Sequence, residues 1–382
     1  MKTSHHDTHA IPPQFIQEAY WHYNKIKTAE LENDEELIDF GRGLSTEQKL
    51  LFKPVDMIKA STIESACRAF RDAALQTESD SPLRSVIQDV TVFEHVHFPG
   101  LQIAPSILPP ETQVLFVSQV MHKYLADPRH KNNLEADYDI DFPARTPGDQ
   151  SISTGPSDIN DPTVAPLSSF FASATHDLLL RPKTTTTTTT SSTPLNSAQF
   201  LSKKLRWLTL GAQYDWPTRS YAPPVEQAAA FPSDLATLVS GLFPRTVAES
   251  GVCLLYSGKD FMPVHRDVSE ECATGLASFS FGCDGVFVVG RGGEDGEIER
   301  TVALRVRSGD CVHMQGEARW AWHAMARTVA GTCPEWLERW PMLEEGAAEA
   351  ERWTKEDKKA FAQWKGYMGR KRLNVSCRQV WD

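Results

Sequence analysis

The sequence predicts an α+β protein built around a double-stranded β-helix, the jelly-roll arrangement, preceded by N-terminal helices. Three observations predict it. From Ala248 onward, short β-like runs follow one another: "VCLLYS", "FMPVHRD", "LASFSFG", "GVFVVG", "TVALRVR", "DCVHMQG", "WHAMARTV" and "LNVSCRQV", most of them separated by Gly, Asp or Ser turns. Many short strands at this spacing indicate a sandwich or a jelly roll. Within the series, "VHRD" sets a histidine and a carboxylate two residues apart, and "RLNVSCR" alternates polar and apolar residues throughout.

Taken in order, residues 1–12 show no periodic pattern and read as disordered. Pro13 to Asn33 reads as a helix, with Phe15, Ala19, Tyr20, Tyr23 and Ile26 at helical spacing. A second helix is expected from about Ser61 to Leu75. "VTVFEHVHFPGLQIAPSIL" is β-like, and Pro109-Pro110 then introduce a helix over "ETQVLFVSQVMHKYL". The division expected is an N-terminal helical extension over 1–84 and one main domain over 85–382. Within the latter, the polar stretch 127–168, rich in Pro, Asp and Asn, reads as an irregular insertion, and the Thr-rich run 183–194 as a low-complexity loop. A helical insertion, "PEWLERWPMLEEGAAEAERWTKEDKKAFAQW", precedes the last strand.

The 382 residues are 41% hydrophobic and 23% charged, the composition of a globular protein. No apolar run approaches the ~20 residues that span a bilayer, so no membrane partner is expected. The N-terminus lacks the apolar core of a secretory signal and is too acidic and arginine-poor for an ordinary transit peptide. A nuclear or cytoplasmic location is therefore expected, with the mitochondrion left open. Cys67, Cys253, Cys272, Cys283, Cys311, Cys333 and Cys377 form no CxxC pair, which argues against a zinc ribbon or a disulfide framework. The net charge of −11 does not suit a protein that grips long duplex DNA through its phosphates. Basic runs at 203–207 and 358–372 leave room for contact with a short stretch of nucleic acid.

In a strand, residues i and i+2 share a face, so His265 and Asp267 project together. With a third ligand from another strand they would form a facial triad, which leaves positions open on iron(II) for oxygen chemistry. HxD alone decides little, because His5-His6-Asp7 repeats the spacing in a segment with no frame to hold it. His313 and His323 are both candidates for the third ligand, and spacing does not choose between them. The RLNVSCR segment weighs more. Arg372, Asn374, Ser376 and Arg378 fall on one face, with Leu373, Val375 and Cys377 behind. At ~3.3 Å per residue the two arginine Cα atoms lie roughly 20 Å apart, and their side chains can reach a small dianion between them. Arginine is the residue suited to bidentate capture of carboxylates.

HxD, a later histidine and RxNxSxR in this order resemble the AlkB family of iron(II)- and 2-oxoglutarate-dependent dioxygenases. The likeness extends to "LRWLTLGAQYDW", "HRDVSEE…LASFSFGCDGVFVVG" and "SGDCVHMQGEARWAWHA". It covers about residues 200–382, with a looser match over 85–125, and is nearest to the fungal form of the eukaryotic member-one branch. The resemblance implies His265, Asp267 and His323 as iron ligands, His323 being favoured because it follows "GEARWAW". It implies that Arg372 pairs with the distal carboxylate of 2-oxoglutarate, that Arg378 serves the keto-acid end, and that Asn374 and Tyr256 add contacts. The cofactors implied are Fe(II), 2-oxoglutarate as cosubstrate, and dioxygen. One departure stands out: where the family often carries Asn-x-Tyr, this chain has Leu254-Leu255-Tyr256. An unpaired polar group at that point costs about 1–3 kcal/mol, so weakened 2-oxoglutarate binding is expected.

The activity implied is oxidative demethylation of N-methylated nucleobases, N6-methyladenine or N1-methyladenine, in RNA first and DNA second, with release of formaldehyde, succinate and CO2. The target base must leave its stack, which favours single-stranded or looped RNA or DNA. A nucleotide-recognition lid is expected in "QYDWPTRSY", where Tyr214, Trp216, Arg219 and Tyr221 could stack on a base. A place in the core remains the alternative for Tyr214 and Trp216. Arg319 is a further candidate substrate contact. A protein hydroxylase with the same iron fold, and a non-catalytic nucleic-acid-binding module, are the competing readings.

Overall fold

The computed structural model describes residues 7–77, 82–143, 169–183, 193–227, 229–258, 260–292, 298–342 and 348–382. The elements that position the site are helix α1 (Gln14–Lys25), strand β1 (Phe52–Ile58), helix α2 (Ala60–Leu75), strands β2 (Val90–His95) and β3 (Leu101–Ala104), and helix α3 (Pro110–Ser118). They continue with β4 (Trp207–Gly211), helix α4 (Ser233–Leu242), β5 (Ser250–Ser257), β6 (Met262–His265), β7 (Leu276–Gly282) and β8 (Asp284–Arg291). β9 (Arg300–Val306), β10 (Cys311–Met314), β11 (Trp322–Val329) and β12 (Lys371–Arg378) complete the set.

Two antiparallel sheets face each other. The larger has the order β1-β2-β3-β10-β7-β12-β5-β4, and the smaller β6-β11-β8-β9. The eight β-like runs expected after Ala248 are β5 to β12. β1 and β4, at the two edges of the large sheet, were not anticipated as strands. Nor was α4, which packs on α2 over the outer face of that sheet. There the backbones approach closely: a Cβ on Gly241 would lie 2.7 Å from the Ala66 Cβ.

The N-terminal part is built into this frame. α1 buries Ile16, Tyr20 and Tyr23, one helical face, against Val286, Val288, Trp322 and Ala324 of the small sheet. The helix expected over 13–33 stops at Lys25, because Ile26 turns to an extended conformation (ψ 139°) and its carbonyl accepts from the Arg327 guanidinium; Thr28–Leu31 forms a separate turn. Ile38 then bridges Leu304 in parallel, and Asp39, almost fully buried, pairs with Arg307 at 2.6 Å.

The stretch expected to be irregular from residue 127 differs at its start. Asp127, His130, Asn132, Leu134 and Tyr138 are buried, and Tyr138–Ile140 pairs with Leu178–Pro182, which in turn pairs with Leu195–Asn196. These apolar side chains join the core beneath the large sheet, which overrides the polar composition. Residues 144–168, and 184–192 of the Thr-rich loop, lie outside the described residues.

Candidate active site

β12 is the middle of the site because it lies between β5 and β7 in the large sheet. In register, Arg372 stands opposite Tyr256, Asn374 opposite Leu254, and Arg378 opposite Ser250; on the other side Asn374 stands opposite Ser280 and Ser376 opposite Ser278. The strand period of two puts Arg372, Asn374, Ser376 and Arg378 on the face toward the small sheet, and Leu373, Val375 and Cys377 in the core behind. Between the sheets lies a cavity of about 570 Å³. Its walls alternate in the same way, with Val252, Leu254 and Tyr256 of β5, Leu276, Ser278 and Ser280 of β7, and Val312 and Met314 of β10.

The small sheet carries the two histidines. β6 pairs with β11 so that His265 stands directly opposite His323, and their ring centroids are 4.4 Å apart. The same local device orients both rings. The Nδ1 of His265 is 2.8 Å from the carbonyl of Pro263, and the Nδ1 of His323 is 3.0 Å from that of Ala321. A carbonyl can only accept, so Nδ1 carries the proton in each and Nε2 presents its lone pair. Both Nε2 atoms face Asp267, His265 at 4.0 Å from Oδ1 and His323 at 3.9 Å from Oδ2. One ligand atom of each of the three residues lies within 4.8 Å of the others.

The electrostatics suit a cation. Burial, and then the neighbouring His265, lower the His323 pKa to about 4, so its imidazole is neutral at physiological pH. Burial alone would raise the Asp267 carboxyl, but the Arg378 guanidinium, followed by His323 and His265, outweighs it and holds the group ionised far below the usual carboxylate range. Two neutral imidazole nitrogens and a carboxylate on one wall of an open cavity form the donor set of a facial triad, so the residues fit an iron(II) ion. His313, the alternative left open by spacing, is elsewhere. Its neighbours Val312 and Met314 line the cavity, whereas His313 stacks on Phe243 at 4.9 Å, with Nε2 3.3 Å from the Thr246 hydroxyl and Nδ1 3.3 Å from Gln102.

The fit to a dianion rests on Arg372. It is 1% exposed, donates to the Ser280 hydroxyl at 2.9 Å and the Cys283 carbonyl at 3.4 Å, and its Nε has no partner. Among the described residues no carboxylate pairs with it, although a buried guanidinium demands one. Gly285 makes room for it: a Cβ there would lie 2.7 Å from Arg372 Nε and 2.6 Å from Met325 Sδ. Leu254 meets the cavity beside Asn374. The Asn374 amide nitrogen already donates to the Ser278 hydroxyl at 2.9 Å and the Phe279 carbonyl at 3.0 Å, so it is engaged by β7.

Sequence reasoning missed Glu270. Its carboxylate, 2% exposed, takes Arg378 Nη1 on Oε1 and Arg319 Nη2 on Oε2, each at 2.9 Å. Nothing in "SEE" marks Glu270 as the one that turns inward while Glu271 stays exposed. Arg319 departs from the substrate contact expected. It is fully buried, does not line the cavity, and donates to the backbone carbonyls of Asp267 (2.7 Å) and Thr274 (3.3 Å) as well as to Glu270.

Over the cavity mouth lies a hairpin in which Tyr214–Asp215 pairs with Ser220–Tyr221. Tyr214, Trp216, Arg219 and Tyr221 all line the cavity. Trp216 is 41% exposed and has the Tyr214 ring at 4.9 Å and the Trp207 ring at 5.3 Å. The Tyr214 hydroxyl lies 3.3 Å from that of Ser269, and the Tyr221 hydroxyl 3.3 Å from Glu270 Oε1. Arg219 donates to the Thr8 carbonyl, and residues 7–12, which the sequence suggested were disordered, form another wall. That segment carries no periodic pattern because it packs as a strap over other elements.

A jelly roll with this donor set and buried arginine defines a non-haem iron oxygenase, and the chain belongs to the 2OG-Fe(II) oxygenase superfamily, whose profile matches residues 172–378. It is therefore a dioxygenase that uses iron(II), 2-oxoglutarate and dioxygen. It is 34% identical over 337 residues to the N6-methyladenosine RNA demethylase ALKB1 of Pyricularia oryzae, with 86% of each chain covered. It is 40% identical over 233 residues to the N6-methyladenosine RNA demethylase ALKBH of Cryphonectria parasitica, covering 58% of this chain and 95% of that one. Over 296 residues it is 29% identical to the tRNA demethylase abh1 of Schizosaccharomyces pombe, covering 76% and 82%. The likeness to AlkB proteins read from the motifs is borne out.

Proposed function

We propose that this enzyme removes N-methyl groups from nucleobases, N6-methyladenine foremost, in single-stranded or looped RNA. The observation that carries the reading is the similarity to the Pyricularia N6-methyladenosine RNA demethylase over 86% of both chains. A cavity with aromatic side chains at its mouth supports it. In this reading His265, Asp267 and His323 hold the iron, their orientation fixed by the Pro263 and Ala321 carbonyls. Arg372 takes the distal carboxylate of 2-oxoglutarate, with Tyr256 beside it, and Arg378 serves the keto-acid end.

When bound, iron(II) with 2-oxoglutarate and dioxygen supplies the oxidation of the methyl carbon, with succinate and CO2 as coproducts and formaldehyde released from the hydroxymethyl base. The chain's own contribution is placement. Val252, Leu254, Leu276 and Val312 keep the cavity apolar around the charged groups, which excludes water and strengthens their interactions. Tyr214 and Trp216 offer faces on which an unstacked base can rest, and Tyr221 anchors their hairpin.

Mass spectrometry of methylated oligonucleotides incubated with enzyme, iron(II) and 2-oxoglutarate tests the proposal. Loss of the methyl group from N6-methyladenine in single-stranded RNA, abolished in His265→Ala, is the expected result. Iron-dependent succinate formation that no methylated oligonucleotide stimulates would overturn it.

A further inference from the structure

The cluster behind the candidate iron site contains two charged groups to which the activity gives no role, Glu270 and Arg319. Glu270 Oε1 accepts from Arg378 Nη1 at 2.9 Å, and the same Nη1 lies 3.1 Å from Asp267 Oδ2. Glu270 Oε2 accepts from Arg319, which also holds the Asp267 backbone carbonyl at 2.7 Å. The Tyr221 hydroxyl of the lid hairpin reaches Glu270 Oε1 at 3.3 Å. Glu270 is thus the common partner of Arg319, Arg378 and the lid.

A guanidinium beside a metal-binding carboxylate competes with the metal. With Asp267 as its sole anion, Arg378 would close onto it in a bidentate pair and cancel the charge that a divalent cation needs. Glu270 supplies a second anion, so the guanidinium bridges the two through one nitrogen, while Arg378 Nε has no partner among the described residues.

We propose that Glu270 is a positioning residue that keeps Arg378 from closing onto Asp267 and links the lid, through the Tyr221 hydroxyl, to the metal-binding carboxylate. The inference rests on the reading of His265, Asp267 and His323 as the metal ligands. It makes Glu270 a determinant of metal affinity although it does not touch the metal.

Titration of the full chain with Mn(II), read by the electron paramagnetic resonance of the free ion, tests it without turnover. Circular dichroism and thermal melts establish that each variant is folded. Glu270→Gln is expected to weaken Mn(II) binding on the order of tenfold. Adding Arg378→Met to it removes the competitor and restores affinity to at least the wild-type value. Tyr221→Phe is expected to weaken binding by about twofold, the effect of one long hydrogen bond. A merely structural Glu270 would lower the melting temperature and leave the affinity of the folded fraction unchanged. Folded Glu270→Gln that binds like wild type, or a double variant as weak as the single one, would overturn the inference. If Glu270→Gln does not fold, the double variant and Tyr221→Phe still decide it: the inference stands if the double variant binds at least as tightly as wild type and Tyr221→Phe binds more weakly, and any other result overturns it. Wild-type protein that binds no Mn(II) would overturn the metal site itself, and the inference with it.

Discussion

His265 and His323 stand directly opposite each other across β6 and β11, each with Nδ1 beside the carbonyl of the residue two positions earlier. Neither ring needs a side-chain partner to be oriented. Replacing either by alanine is expected to abolish metal binding and 2-oxoglutarate turnover, measured as Mn(II) affinity and succinate release. His313→Ala, which alters a ring stacked on Phe243 away from the cavity, is expected to keep both.

Arg372 is a buried cation without an ionic partner among the described residues. Arg372→Met is expected to leave the melting temperature of the ligand-free protein unchanged or higher, because it removes an uncompensated charge. The same change should raise the KM for 2-oxoglutarate roughly 100-fold, the equivalent of two charge-assisted hydrogen bonds. Thermal melts with and without 2-oxoglutarate separate the two effects.

Leu254 lies in register with Asn374 at the cavity wall. Leu254→Asn is expected to tighten 2-oxoglutarate binding by about two- to tenfold, the range of one added hydrogen bond. Calorimetric titration measures this, and equal affinities would show that the leucine is no handicap.

Trp216→Ala should cut demethylation of an oligonucleotide by about tenfold or more, the value of a stacked base. Succinate formation without oligonucleotide should persist, because the ring partners of Trp216 are Tyr214 and Trp207, neither of them a candidate ligand of iron or 2-oxoglutarate. Unchanged demethylation would make Trp216 a packing residue of the Trp207–Tyr214 cluster.

Asp310 supplies a pH dependence. Burial pushes its carboxyl up to about 6, against two backbone N–H donors, Ser106 at 2.8 Å and Arg307 at 2.7 Å. A raised pKa means that the folded state prefers the protonated form. The stabilisation is therefore fully present below the ordinary carboxylate pKa and is lost as pH rises through about 6. In urea unfolding, the stability difference between wild type and Asp310→Asn should shift against wild type by about 1 kcal/mol from pH 5 to 7.5.

The parts of the site that lie along single strands were legible. A period of two is a local property, so Arg372 to Arg378 could be placed on one face from spacing alone; Asp267 lies just past the end of β6 at His265, and the i, i+2 spacing still brings their ligand atoms together. What joins distant segments was not. Glu270 and Glu271 are equivalent until the fold turns one toward Arg319 and Arg378. Arg319, a candidate substrate contact by its place in "GEARWAW", turns its guanidinium back to the Asp267 and Thr274 carbonyls. β1, β4 and residues 7–12 owe their conformations to neighbours contributed from far along the chain. The polar start of the 127–168 stretch is likewise held by core contacts that its composition does not announce.

β12 is the inner seam of the large sheet, paired on both sides with strands made much earlier in the chain. Any premature stop before Lys371 would leave β5 and β7 with bare, adjacent edges in the middle of a sheet. Such edges template pairing with other chains. Truncated products should therefore collect as aggregate or be degraded, and should not persist as soluble protein that merely lacks its arginines.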